Sequence, residues 1–305
     1  MVQGSKRLDA YPDFGKKNFY VERVGNTDSA FVNPDPDKQV RSDYKQVDVL
    51  QKILYHQNEH IQHILNLQFS SSSDVQRYDR LTEVASGKPV YAEWYYGPQR
   101  RNMGAYHFKA TRLAGFFLFI MLTASYQDIE ESRITRRFKN NSKDFRWEHV
   151  NVFGISIDAK HYSGKNELHI GAESYNNFVS STAERRDIVT GNISRINTRY
   201  ANGPVSMSSN ALYAQHTLKI NDHLTLNDGL RFNLVKLHAI FADTTLMHFP
   251  FNRAKQNNAA VTGNIGLVYA DENNFRAAAL VSTGFRSPNV DDLSKVFDSK
   301  TGAVV

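Results

Sequence analysis

The chain has 305 residues, enough for one large domain or two, and 41% of them are hydrophobic, which is lean for a soluble protein of this length. Its 37 Lys and Arg face 31 Asp and Glu, and the cations are interspersed with the acids without a basic helix or recognition motif, so the formal charge of +6 does not point to nucleic acid. The absence of cysteine excludes disulfides, zinc–thiolate sites and thiol catalysis, and agrees with passage through an oxidising compartment.

Met1 to Ala10 holds no apolar signal-peptide core, and residues 1–39 are expected to be loop. Strands are predicted over roughly 40–57 and 59–74, where Leu65, Leu67 and Phe69 alternate with Asn66 and Gln68. His56, His60 and His63 would line one face of a helix as a metal cluster; on strands they do not, and no metal is expected there. A long connection over roughly 75–98 ends in Trp94, Tyr95, Tyr96, Gly97 and Pro98, a placement for either an interfacial aromatic girdle or a ligand-facing loop. Arg100 opens the next strand, roughly 99–112, where Tyr106, Phe108 and Ala110 alternate with His107 and Lys109.

A turn is expected near Leu113, and then a long strand over roughly 114–139. Its apolar run from Leu113 to Ala124 is too short for a transmembrane helix and reads as a strand apolar on both faces. Asp128, Glu130 and Glu131 precede Arg133, Arg136 and Arg137; alternation puts Glu130 and Glu131 on opposite faces, so charge pairing in a lumen is expected rather than acid–base catalysis. After a short break at Asn140 to Lys143, strands over roughly 144–163 and 166–187 carry Phe153, Ile155, Ile157 and Ala159, then Leu168, Ile170 and Ala172.

The clearest pattern lies between Leu212 and Leu234. There Leu212, Ala214, Leu218 and Ile220, then Leu224, Leu226, Leu230, Phe232 and Leu234, form two apolar faces around a two-residue Asn221-Asp222 turn, interrupted only by His216 and Asp228. Strands over roughly 207–221 and 223–241 follow, and a last hairpin over roughly 257–271 and 273–287. Short turns alternate with long connections at 75–98, 188–206 and 242–256. About ten half-apolar strands with short turns at one rim and long loops at the other predict an all-β fold, an antiparallel transmembrane β-barrel. A mean hydropathy of −0.50 fits, because only one face of each strand must be apolar. No nucleophile elbow, phosphate loop or metalloprotease helix occurs, so no enzyme is expected.

Five stretches carry a family resemblance: Arg77 to Leu81, Ala92 to Gln99, Tyr126 to Arg133, Leu226 to Arg231, and Ser282 to Leu293. They resemble TonB-dependent outer-membrane receptors of Gram-negative bacteria, particularly the haem or haemoglobin receptors. Gly284-Phe285-Arg286-Ser287-Pro288-Asn289 is similar to the Phe-Arg-Ala-Pro box of that group. Phe285, Arg286, Pro288 and Asn289 are read as mainly structural, with Pro288 ending the strand because it cannot donate to a ladder.

The resemblance implies a barrel of about 22 strands filled by an N-terminal plug. It also implies a small iron-bearing ligand, an outer-membrane lipid environment, and TonB as partner of the intact parent, with no resident cofactor. The chain shows neither plug nor leader and stops before the Asn-Pro-Asn/Asp-Leu box and loop histidine of haem receptors, so it reads as a central fragment. Residues 40–287 would be barrel and 288–305 the start of a truncated loop. Trp94, Tyr95, Tyr96 and Arg100 are the candidate ligand contacts, able to stack on a porphyrin or aromatic siderophore and pair with its carboxylates. Vitamin or glycan cargo stays open, and so does a soluble all-β binding or structural protein whose apolar faces would cover one another.

Overall fold

The computed structural model describes residues 2–4, 19–35, 39–112, 116–246, 251–272, 274–290 and 292. Ten long strands follow one another in space as in sequence: β1 (Lys45–His56), β2 (Ile61–Ser72), β3 (Arg100–Thr111), β4 (Phe119–Arg137), β5 (Ser142–Ser163), β6 (Asn166–Asp187), β7 (Val205–Lys219), β8 (Leu224–Ile240), β9 (Arg253–Ala270) and β10 (Arg276–Ser282). Each pairs antiparallel with the next, and β1 and β10 are not joined, so the sheet is an open meander. Val2–Gly4 pairs along the free edge of β1. Among the described residues no helix is long and apolar enough to cross a membrane.

Turn chemistry explains one rim. The Asn58 side chain accepts from the backbone N–H groups of His60 and Ile61, and the Asn221 side chain does the same for His223 and Leu224. Gly164, at a φ of 57°, makes the two-residue link between β5 and β6. The predicted Asn221-Asp222 turn is longer than expected, spanning residues 220–223, because that side-chain capping draws Ile220 and His223 out of the ladder. The long apolar run does not enter its strand where expected. Phe116, Phe117 and Leu118 lie in the connection and β4 starts at Phe119, while the predicted turn residue Leu113 lies outside the described residues.

The register brings the apolar positions of every strand to one face. Tyr106, Ala124, Ile155 and Ser174 stand in one cross-strand row, and Leu212, Phe232 and Val261 in another. This face is uncovered: Ile155 is 60% exposed, Leu212 61%, Leu230 66% and Val261 67%. No second sheet lies over these apolar rows among the described residues. The two polar interruptions on it satisfy each other, since His216 Nδ1 meets Asp228 Oδ1 at 3.0 Å and His216 Nε2 meets Asn166 Oδ1 at 2.9 Å.

The strands overshoot this apolar band. β5 and β6 have 22 residues each, about twice the 9–11 that a tilted strand needs to cross hydrocarbon. Beyond Tyr126 and Phe153 the same outward positions become Asp128, Glu130, Asn151 and His149. The expectation of lumenal charge pairing therefore fails for Asp128 and Glu130, which share the outward parity of Leu122 and Tyr126. Only Glu131 turns inward, opposite Glu148, and the outward pair is tolerated because it stands above the apolar rows.

The other face is polar near the short turns and packed near the long loops. There Ala201, Val205, Leu237, Ala239 and Phe241 form a buried cluster under the 188–204 connection, with Val290 against it. β10 leaves the ladder after Ser282, so Pro288 is not what ends it. The following segment runs on beside β9 instead, with the Ser287 hydroxyl accepting from the Gln256 and Asn258 side chains and the Arg286 guanidinium on the Asp292 carboxylate at 3.0 Å.

Candidate functional site

The connection between β2 and β3 is built rather than loose. Val75–Gln76 prolongs the line of β2, and Tyr91–Tyr96 prolongs that of β3 along the Arg133–Arg137 end of β4. Between Tyr96 and Arg100 the chain takes four steps while β4 takes three, from Arg133 to Glu130, which is a bulge. Gly97 permits it. Its φ is 121°, and a Cβ there would press on the Ser73 carbonyl and the Asp74 backbone.

Alternation along Tyr91–Tyr96 divides the aromatic residues. Trp94 and Tyr96 share the inward parity of Arg133 and Thr135, whereas Tyr95 pairs with Ile134 on the other face. The Trp94 and Tyr96 rings meet edge to face at 4.8 Å, and two guanidinium groups lie over them: Arg77 at 4.9 and 5.5 Å, Arg133 at 5.6 and 5.9 Å. Arg77 is oriented by Asp79, which takes two hydrogen bonds at 2.8 and 2.7 Å, and it donates to the Tyr96 hydroxyl at 2.9 Å. Those bonds hold the Asp79 carboxyl below its ordinary pKa. Beyond Arg133 lies Glu148, 3% exposed, with one carboxylate oxygen lacking a hydrogen-bond partner and Arg146 and Arg199 nearby.

Tyr95 faces a 320 Å³ hollow shared with Tyr20, Arg41 and Tyr78, with the Lys143 ammonium 5.2 Å from its ring. One wall of the hollow is a hairpin, Phe19–Val24 and Thr27–Val32, tied down by Asp28. The Asp28 carboxylate takes two bonds from Arg136, at 2.7 and 2.9 Å, and one from the Lys139 backbone N–H at 2.7 Å, with both ionic side chains almost wholly buried. Burial alone would raise the pKa of Asp28, but the Arg136 hydrogen bonds, the Lys139 N–H and the positive charges of Arg136 and Arg23 pull it below the usual carboxylate value. Glu93, held by Arg136 at 2.6 Å and by Lys143, is lowered against its own burial in the same way.

Of the four predicted ligand contacts, then, Trp94 and Tyr96 come together on the inward face, and Tyr95 and Arg100 do not join them. Arg100 stands on the outward face, 3.5 Å from Glu130. The cations that accompany the rings are Arg77 and Arg133, which sequence spacing does not bring near Trp94 because the contact depends on the bulge. The three histidines do not cluster: His60 is in a turn, and His63 stacks between Tyr55 and Tyr106. Among the described residues one trio, Asp128, Glu130 and His149, brings its ligand atoms within 4.8 Å of one another. Phe285 and Pro288 lie beyond the end of β10, and Asn289 exchanges hydrogen bonds with Asp292.

Three solved structures share this architecture. The chain superposes on the copper transporter OprC with a TM-score of 0.66 at 10% identity, covering 81% of this chain and 38% of that one. For the ferric citrate transporter FecA the values are 0.62, 13%, 92% and 43%. For the Serratia marcescens hemophore receptor HasR, solved with its hemophore HasA and heme, they are 0.59, 10%, 90% and 40%. The chain thus spans less than half the length of these relatives, and at such identities the likeness concerns the fold. No curated protein matches the sequence. The family model for the TonB dependent receptor-like β-barrel matches residues 5–304, and with nearly its whole length inside that match the chain belongs to the TonB-dependent receptor β-barrel family.

Proposed function

We propose that the chain forms part of the membrane wall and outer vestibule of a receptor that takes up an iron-bearing ligand, haem or a ferric siderophore, across the outer membrane. The observation that carries this reading is the uncovered apolar face, continuous across β2 to β9, backed by a polar inner face. A soluble sandwich would have to cover that face with a second sheet. The outer-membrane setting is that of the family, whose members work in Gram-negative bacteria with TonB as their energy-coupling partner. Such transport requires no covalent chemistry, only different ligand affinity in two states of the receptor.

Arg77 and Arg133 over Trp94 and Tyr96 give the vestibule paired cations on an aromatic support, suited to carboxylates or catecholates of a flat ligand. The test is growth. The gene with its natural flanking sequence is placed in an iron-starved Gram-negative host stripped of its own iron receptors, and haem and ferric siderophores are supplied one at a time. One of them should restore growth, and Arg77→Gln with Arg133→Gln should raise the concentration needed by about tenfold or more, the scale of one or two lost charge-assisted contacts. Failure of every iron source to support growth, with the protein present in the outer membrane, would overturn the reading.

A further inference from the structure

The outward face changes character abruptly between β6 and β9. On β8 the apolar series Leu230, Phe232, Leu234 gives way to Lys236 and His238, and on β9 Val261 and Ala259 give way to Asn257, Lys255 and Arg253. On β7 the matching positions are Ser206, Ser208 and Asn210. Register puts Lys236 opposite Asn257 and Ser208, and His238 opposite Lys255 and Ser206. The two lysines are therefore diagonal neighbours, and Lys236 begins about 7 Å above the last apolar row, two residues at about 3.4 Å each.

Ser206, Ser208, Lys236, His238, Lys255 and Asn257 line a groove of about 570 Å³ together with Asn176 and Phe178, and no carboxylate contributes to it. The rest of the rim at this height is different. Between β3 and β5, Arg100 is answered by Glu130 at 3.5 Å and His149 lies 2.7 Å from Asp128, so these polar side chains find partners within the wall. Among the described residues neither Lys236 nor Lys255 has such a partner. The groove thus offers two ammonium groups, an imidazole, two hydroxyls and two side-chain amides, directly above a surface fit for hydrocarbon.

We propose that this groove binds the phosphate of an anionic lipid headgroup in the leaflet on the long-loop side of the membrane. Its place fixes the source: a phosphate held there has its acyl chains running down over Leu234, Phe232 and Val261, which a free phosphate would leave bare. The inference rests on the membrane reading of the wall and is independent of the transported ligand.

The experiment floats the 305-residue chain with phosphatidylcholine vesicles, then with the same vesicles containing phosphatidic acid, and measures protection of Lys236 and Lys255 from amine acetylation. Phosphatidic acid should protect both lysines of the wild type, while diacylglycerol, which lacks the phosphate, and inorganic phosphate should not. Lys236→Gln with Lys255→Gln should weaken binding of a soluble short-chain phosphatidic acid in neutral detergent by about tenfold or more, and the paired Arg variant should retain it, which separates loss of charge from failure to fold. If the chain floats with phosphatidylcholine but phosphatidic acid neither protects the lysines nor discriminates between the variants, the headgroup site is refuted and the membrane wall stands. If the chain floats with no vesicle, both fall together. Equal protection by inorganic phosphate would replace the lipid with an anion of another kind.

Discussion

Asp28 ties the Phe19–Val32 hairpin to the long-loop end of β4 through Arg136 and the Lys139 backbone. Its carboxylate and the Arg136 guanidinium are 0% and 2% exposed, so removing one leaves the other charged and buried. Breaking such a pair costs about 3–5 kcal/mol, whereas replacing both partners by apolar residues of similar volume is often neutral. Asp28→Ala should therefore release the Phe19–Val32 hairpin, read as faster backbone hydrogen exchange across residues 19–32, and Asp28→Leu with Arg136→Met should restore much of the protection. Acid should act like the alanine variant. Because the folded pKa of Asp28, like that of Glu93, is depressed, the stabilisation is complete above the unfolded value of about 3.9 and is lost as pH falls through the lower folded value. Docking of the hairpin should hold at neutral pH and weaken below about pH 4. Exchange rates in 19–32 that are the same in wild type and Asp28→Ala would show that the ion pair does not hold the hairpin.

Pairing of neighbouring strands uses a glycine–tyrosine device twice. Gly154 on β5 stands opposite Tyr175 on β6, and Gly171 on β6 opposite Tyr213 on β7. A Cβ at either glycine would enter the facing ring, and the Tyr213 ring so placed reaches across Gly171 to donate a hydrogen bond to Asp158 at 2.5 Å. Gly171→Val should cost about 1–3 kcal/mol, as overpacking does, and Tyr213→Ala in the same chain should relieve part of it. Thermal unfolding of the four proteins in detergent measures this, and purely additive losses would rule out the ring contact as the cause. The ten strands themselves were legible from the period-2 rows, because one face of each must be apolar over its middle. Strand ends were less so. The start of β4 at Phe119, the exit from the ladder at Ser282 and the extension Tyr91–Tyr96 depend on turns, bulges and capping side chains that leave little trace in alternation. The same reason hid Arg77 and Arg133: Trp94 was visible as an aromatic near a rim, but its face and its neighbours follow from the bulge at 97–99.

Taken together, the strands make a wall with two unlike sides, and its chemistry constrains how it can sit. Interior-facing positions hold Gln127, Asn227, Arg231 and Asn233, and Arg231 is tied to Glu173 across two strand pairings. Exterior positions on the same stretch of wall hold Leu122, Ile155, Leu212 and Phe232. Water on both sides would leave the exterior row exposed, and hydrocarbon on both would strand the inner charges at several kcal/mol each. Lipid outside with water or protein inside satisfies both, and this order cannot invert without slipping every register by one residue. The arrangement predicts a depth profile. Single cysteines carrying a fluorophore at Leu212, Leu230 or Ile155 should be quenched by lipids brominated in their acyl chains, while those at Gln127 or Arg231 should be quenched by iodide from water and not by bromolipid. Labels at Ser208 and Asn257, one or two rows above the apolar band, should respond to headgroup-level quenchers rather than to chain bromines. Quenching by iodide at Leu212 and Leu230 as strong as at Gln127 would mean that the apolar face meets water, and the membrane orientation of the wall would have to be given up.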